Sequence, residues 1–142
     1  MIANINIINI SASNKIDFKK QEKKIEIGNM LSIKNVVENT DSKTIAISFE
    51  FKIIYKTEKE ELGDVIFLGS LLWKEDDSEN TFKTTWEKDK KLPEKHSFVI
   101  MNSILRKCIL SAIDIAQQIN MPPPINIPVI QEKKVQNIEY IG

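Results

Sequence analysis

From Thr44 to Lys56 the chain alternates without a break: Ile45, Ile47, Phe49, Phe51, Ile53 and Tyr55 fall on one face, and Thr44, Ser48, Glu50, Lys52 and Lys56 fall mainly on the other. A period of two is the repeat of a half-buried β-strand. A charged connection, Thr57 to Asp64 with Gly63 near its end, leads into Val65 to Lys74, which is rich in β-formers and apolar on both faces. The two segments predict an antiparallel hairpin. Gly69 inside the second strand predicts a bulge or a close backbone approach, because it has no side chain to pack. Ile2 to Ser11 and Lys24 to Val37 also read as strands, the latter bent at Gly28-Asn29, with Asn39-Thr40-Asp41-Ser42 as the turn before the long strand. Glu75 to Leu92 loses the pattern and predicts a long loop with at most one helical turn.

The repeat then changes from two to 3.6. Pro93 to Ile119 predicts a long helix, with Pro93 and acidic Glu94 at its start, where a missing N–H and a negative charge are both favourable. Phe98, Met101, Leu105, Cys108, Ile109, Ala112, Ala116 and Ile119 form a stripe assigned to the sheet. Val99, Ile100, Ile104, Leu110 and Ile113 widen or duplicate it, giving more apolar surface than one small sheet covers, and are assigned to an oligomer interface. Met121-Pro122-Pro123-Pro124-Ile125-Asn126-Ile127-Pro128 cannot continue a helix and predicts a stiff extended segment. Gln131 to Gly142 shows weak alternation at Val135, Ile138 and Tyr140, compatible with an edge strand, a docked arm or a tail.

The strands of the hairpin leave a question of coverage. Val65, Phe67, Leu71 and Trp73 lie on one face of the second strand, and Ile66, Leu68 and Leu72 on the other, so one helix cannot cover both. The second face is read as a subunit interface, as a surface capped by the proline segment, or as an open groove for extended apolar segments of other proteins.

Composition narrows the function. At 142 residues and 42% hydrophobic content the chain suits a single domain, 1–142. Twenty basic and 20 acidic residues cancel, so no global field draws nucleic acid or an anionic membrane surface. Met1 to Ile10 lacks the basic start and cleavage site of a signal peptide, and the late helix carries Arg106, Lys107 and Asp114, so neither secretion nor stable membrane insertion is expected. A lone cysteine, Cys108, fits a reducing, cytoplasmic setting and excludes an intrachain disulfide.

Most enzyme signatures fail on inventory. Gly28, Gly63, Gly69 and Gly142 are the only glycines, too few for a dinucleotide or phosphate loop. His96 is the sole histidine, read as a helix-surface residue, and Cys108 on the apolar stripe reads as a small core hydrophobe. No cofactor, no metal and no catalytic residue is assigned. The acidic run Glu75-Asp76-Asp77-Ser78-Glu79 lacks the glycine and distal glutamate of a calcium loop. With Glu58 to Glu61 it reads as solvated charge, or functionally as a patch for a basic partner. Lysines 19, 20, 23 and 24, and Lys88, Lys90 and Lys91, are balanced by nearby carboxylates.

The order of elements resembles the SecB protein-export chaperones. The local echoes are Ile5 to Phe18, similar to that family's first strand; Phe67-Leu68-Gly69-Ser70-Leu71, similar to its glycine-containing strand; and Met121 to Val129, similar to its crossover after the first helix. The resemblance implies an α+β fold, a homo-oligomer with dimer and tetramer as its forms, and ATP-independent holding of unfolded or nascent polypeptide clients. By position it implies that Phe67, Trp73, Met121, Pro123, Ile125 and Ile127 line a client groove. The chain departs from the family in having no room for a comparable second helix after the crossover and no basic tail for an export motor. The expectation is therefore a non-enzymatic holdase. The alternative is a scaffolding subunit whose apolar surfaces are consumed by permanent partners.

Overall fold

The computed structural model describes residues 1–16, 24–39, 43–74 and 81–125. Four strands, β1 (Ile2–Asn14), β2 (Glu26–Asn39), β3 (Thr44–Lys56) and β4 (Glu61–Lys74), precede two helices, α1 (Thr81–Asp89) and α2 (Glu94–Gln118). Neighbouring strands are all antiparallel, in the order β1-β4-β3-β2. The α+β arrangement of a four-stranded antiparallel sheet followed by a long helix is the one expected from the sequence. The most apolar strands, β3 and β4, take the centre, and Asn-rich β1 takes an edge, where a polar outer face stays in water.

The sheet buries one face. Ile45, Ile47, Phe49, Phe51, Ile53 and Tyr55 of β3 and Val65, Phe67, Leu71 and Trp73 of β4 form the apolar layer beneath α2. Against them α2 sets Ile100, Ile104, Cys108, Ala112 and Ala116, all buried. A fully buried isoleucine stabilises by about 1.5–3 kcal/mol, so this contact holds the helix to the sheet. The sheet's opposite face carries Ser48, Glu50, Lys52 and Ser70 beside Leu68 and Leu72, which are partly exposed.

Several boundaries differ from the sequence reading. β4 starts at Glu61, because Thr57 closes a tight turn by donating its N–H to the Glu60 carbonyl at 2.9 Å, while its Oγ1 accepts from the Lys59 and Glu60 amides. β2 pairs with β3 straight through Gly28 and Asn29, and its irregularity lies between Ile33 and Asn35. Part of the expected loop is helix α1, because Phe82 and Trp86, four residues apart, share one face and Phe82 packs on Trp73. The acidic run 75–79, lysines 19, 20 and 23, turn residues 40–42, the segment 126–130 with Ile127, and the stretch 131–142 lie outside the described residues.

Gly69 marks a close approach. It pairs with Ile7 on β1 and Phe49 on β3, and the bulge falls on β1, between Ile7 and Asn9, instead of on β4. A Cβ at Gly69 would lie 2.5 Å from the Phe49 ring and 2.6 Å from the Asn6 carbonyl oxygen. The carbonyl belongs to the backbone and cannot rotate away. Gly69→Ala is therefore expected to destabilise the fold by about 2 kcal/mol or more, the range of core overpacking. An unchanged urea midpoint in the variant would contradict this.

Candidate functional site

Helix α2 lies across β1 and β4 and runs from the Trp73 end of the sheet to the end formed by Asn14, Tyr55 and Gly63. At that far end the chain turns sharply. Ile119 closes the helix, Asn120 takes a left-handed conformation at φ 58°, and its N–H donates to the Gln117 carbonyl while the Met121 N–H donates to that of Ala116 at 2.8 Å. This is the paired hydrogen-bond pattern of a Schellman cap, with asparagine where glycine is commonest, and buried Met121 supplies its apolar contact. The sheet then pins the proline segment. The Tyr55 hydroxyl donates to the Pro122 carbonyl at 2.7 Å, and the Asn14 amide donates to the Ile119 carbonyl at 2.6 Å. A cleft of about 230 Å³ opens here between Ile113, Gln117, Met121 and Pro123.

The other end of α2 is aromatic and basic. His96 lies 4.7 Å from the Trp73 ring and stacks on Phe82 at 5.3 Å with planes only 5° apart. Burial in this cluster, and to a lesser extent the neighbouring Lys95 ammonium, lower its pKa. Lys90 holds its ammonium 5.5 Å from the centre of the Trp86 ring, a cation–π contact. Beside this corner a groove of about 570 Å³ runs between edge strand β2 and α2, lined by Ile33, Lys90, Lys91, Leu92, Glu94, Ser97, Phe98 and Met101.

The sequence-assigned residues divide among these places. Phe67 and Trp73 are buried under the helices, because period two puts the odd-numbered residues of β4 on the face that α2 covers. They are core residues in the single chain, 0% and 7% exposed, and so offer a client almost no surface. Met121 is buried, Pro123 half-buried at the smaller cleft, and Ile125 is 44% exposed beyond it. Of the five residues assigned to an oligomer interface, Ile100 and Ile104 are fully buried against the chain's own sheet and have no side-chain surface to offer a partner. Val99 and Leu110 are exposed, at 54% and 65%, and Ile113 is half-buried. Phe98, assigned to the sheet-facing stripe, is 75% exposed.

Three features escaped the sequence reading. His96 is a member of an aromatic cluster and not a simple surface histidine, Phe98 faces out, and Ile33 with Leu92 forms a groove floor. The clue to helix phase was present: the small residues Ala112 and Ala116 fall at steps of four from Ile100, Ile104 and Cys108, and small side chains mark the closest approach of a helix to its support. Burial pushes the Cys108 thiol up to about 11, so it stays protonated and unreactive in the core. Among the described residues no group of three His, Cys, Asp or Glu could hold a metal ion, and no helix is long and apolar enough to cross a membrane.

Two outcomes follow from these contacts. Tyr55→Phe leaves the Pro122 carbonyl without its donor and is expected to cost about 1 kcal/mol, read as a lower urea midpoint at unchanged slope; wild-type stability would show that the hydroxyl does not pin the segment. Because the His96 pKa is lowered on folding, the unfolded chain binds the proton more readily. This contribution to stability is therefore full above the ordinary histidine pKa of about 6.5 and is lost as pH falls through the folded-state value. An NMR titration of this sole histidine should give a midpoint below 6.5, and a midpoint at or above it would refute the packing argument.

No protein-family model matches the chain, and no curated protein matches it in sequence. Solved structures do match in shape. One is the Mycobacterium tuberculosis SecB-like chaperone Rv1957 in complex with a ChAD peptide from the Rv1956 HigA1 antitoxin, with a TM-score of 0.61 and 9% identity over 93% of this chain and 91% of that one. Another is a Streptococcus agalactiae protein of unknown function, with a TM-score of 0.41 and 7% identity over 91% of this chain and 96% of that one. At such identities the likeness speaks for the architecture alone: four antiparallel strands and a long following helix, the SecB-like α+β fold.

Proposed function

We propose that the chain is a non-enzymatic, ATP-independent holdase that binds unfolded or nascent polypeptides. The observation that carries this reading is the large apolar side chains left in water at the start of α2 and on the proline segment, Phe98 and Ile125. It is supported by the likeness in fold to a SecB-like chaperone that holds an antitoxin peptide. Each apolar side chain a client inserts exchanges water contact for protein contact, at about 25 cal/mol per Å². No single contact is strong, so a long client is held by several at once across subunits.

Val99 and Leu110, also exposed, serve assembly. In this proposal Val99 and Leu110, with half-buried Ile113, join copies of the chain into a dimer or tetramer, while Met121 and Pro123, with Ile125 beyond them, form the client-binding surface. A cytoplasmic setting and a place in protein export complete the reading.

Dilution of a chemically unfolded reporter protein into buffer without ATP tests it, alongside the mass of the protein in solution. Suppressed light scattering at near-equal subunit ratios is expected, with partial loss on Ile125→Ser. A well-folded oligomer that suppresses nothing and leaves an apolar-surface dye dark would instead be a scaffolding subunit with its surfaces already covered.

A further inference from the structure

The groove between β2 and the first half of α2 differs in chemistry from the cleft at the proline segment. Its floor is apolar, from Ile33, Leu92 and Met101, with Phe98 standing 75% exposed above it. Among the described residues its lining includes two lysines, Lys90 and Lys91, and one carboxylate residue, Glu94. Lys90 is positioned rather than free to wander: its backbone takes φ 54° after α1, its N–H donates to the Trp86 carbonyl at 2.9 Å, and its ammonium sits over the Trp86 ring. The volume of about 570 Å³ lies within the roughly 300–1,000 Å³ of small-ligand sites and admits a few large side chains. By contrast, the described residues that line the other cleft, Ile113, Gln117, Met121 and Pro123, carry no charge.

We propose that this groove is a second peptide subsite, selective for segments in which a large apolar side chain stands next to a carboxylate. The apolar side chain fills the floor against Leu92 and Met101 and is capped by Phe98, while the neighbouring Asp or Glu reaches the Lys90 and Lys91 ammoniums. A segment with lysine in that place meets like charge at the rim. The choice of a peptide as ligand rests on the holdase reading. The charge preference rests on the groove itself.

The test measures binding of three fluorescein-labelled ten-residue peptides by anisotropy to the full chain. The peptides share a Leu-Phe-Leu centre flanked by glutamates, serines or lysines. At low ionic strength the glutamate peptide is expected to bind about tenfold tighter than the lysine peptide, the gap narrowing as salt screens the rim. Charge reversal by Lys90→Glu with Lys91→Glu should invert the order, and Phe98→Ser should weaken all three. All three positions are exposed, so circular dichroism is expected to show folded variants.

Equal binding of the glutamate and lysine peptides, or an order that survives charge reversal, overturns the proposal. If scattering of the unfolded reporter is suppressed while the peptides show no charge preference, the holdase reading stands and the subsite falls. Selective binding of the glutamate peptide that depends on Lys90 and Lys91, in a protein that suppresses nothing, leaves the subsite standing and removes the holdase. No binding and no suppression removes both.

Discussion

The structure depends on one contact, the fit of α2 onto the apolar face of the sheet, over β4 and β1. That layer is thick at Phe49, Phe51 and Phe67, where two of the rings, Phe51 and Phe67, lie 6.2 Å apart. Gly69, lying between Phe49 and the β1 backbone, gives the Phe49 ring the space that a side chain on β4 would occupy. Toward the other end the helix itself thins to Ala112 and Ala116, which leaves room for Met121 to fold back under it. Gly63 has the same role there, since a Cβ on it would meet the Ser13 carbonyl and the Met121 methyl. Bulk and space thus complement each other along the length of the contact, and close packing of this kind leaves little freedom to slide.

The two edges of the sheet follow from that centre. Beside Gly69, β1 carries its bulge, which sends Ile8 outward to 68% exposure. Its carbonyl at Ile5 accepts from the Lys107 Nζ of α2 at 2.8 Å. A bulge and a cation at an edge both disfavour uncontrolled strand addition. On the opposite edge, Lys34 pairs with Glu50 at 3.0 Å across β2 and β3, an exposed ion pair that contributes at most about 1 kcal/mol. The helix lies toward β1, so among the described residues it is the α1–α2 corner that covers the β2 side of the apolar layer. The larger groove is what remains between the two.

The strands and the long helix were legible in the sequence because each rests on a regular repeat, whereas the strand order was not. Period two over Thr44–Lys56 has one solution, and β3 has those bounds. Helix phase was less legible. When apolar residues occur on several sides of a helix, stripes anchored at Phe98 and at Ile100 are both self-consistent, and side-chain size decides between them only once a partner surface exists. Helix α1 was missed for a related reason, since nine residues with two aromatics make a weak repeat that gains its stability from Trp73, far away in sequence. The groove could not be read at all: Ile33 and Leu92 are 59 positions apart, and the packing of the α1–α2 corner on β2 brings them together.

The stability of the fold does not account for the outer face of α2. Leu110 and Phe98 are mostly in water in the single chain and contribute little burial, while a lysine or glutamate would serve helix propensity about as well as leucine. Their cost is unfavourable, since exposed apolar groups on a protein with no net charge invite association that charge repulsion would otherwise limit. In the proposed reading, these residues are explained by what they touch outside the chain. The inner stripe, by contrast, is saturated: Ile100, Ile104 and Cys108 are wholly covered, and no rearrangement short of lifting the helix would offer them to a partner. In that reading, binding and folding are divided between two sides of one helix. Changes to the outer side should be separable from stability in a way that changes to the inner side are not.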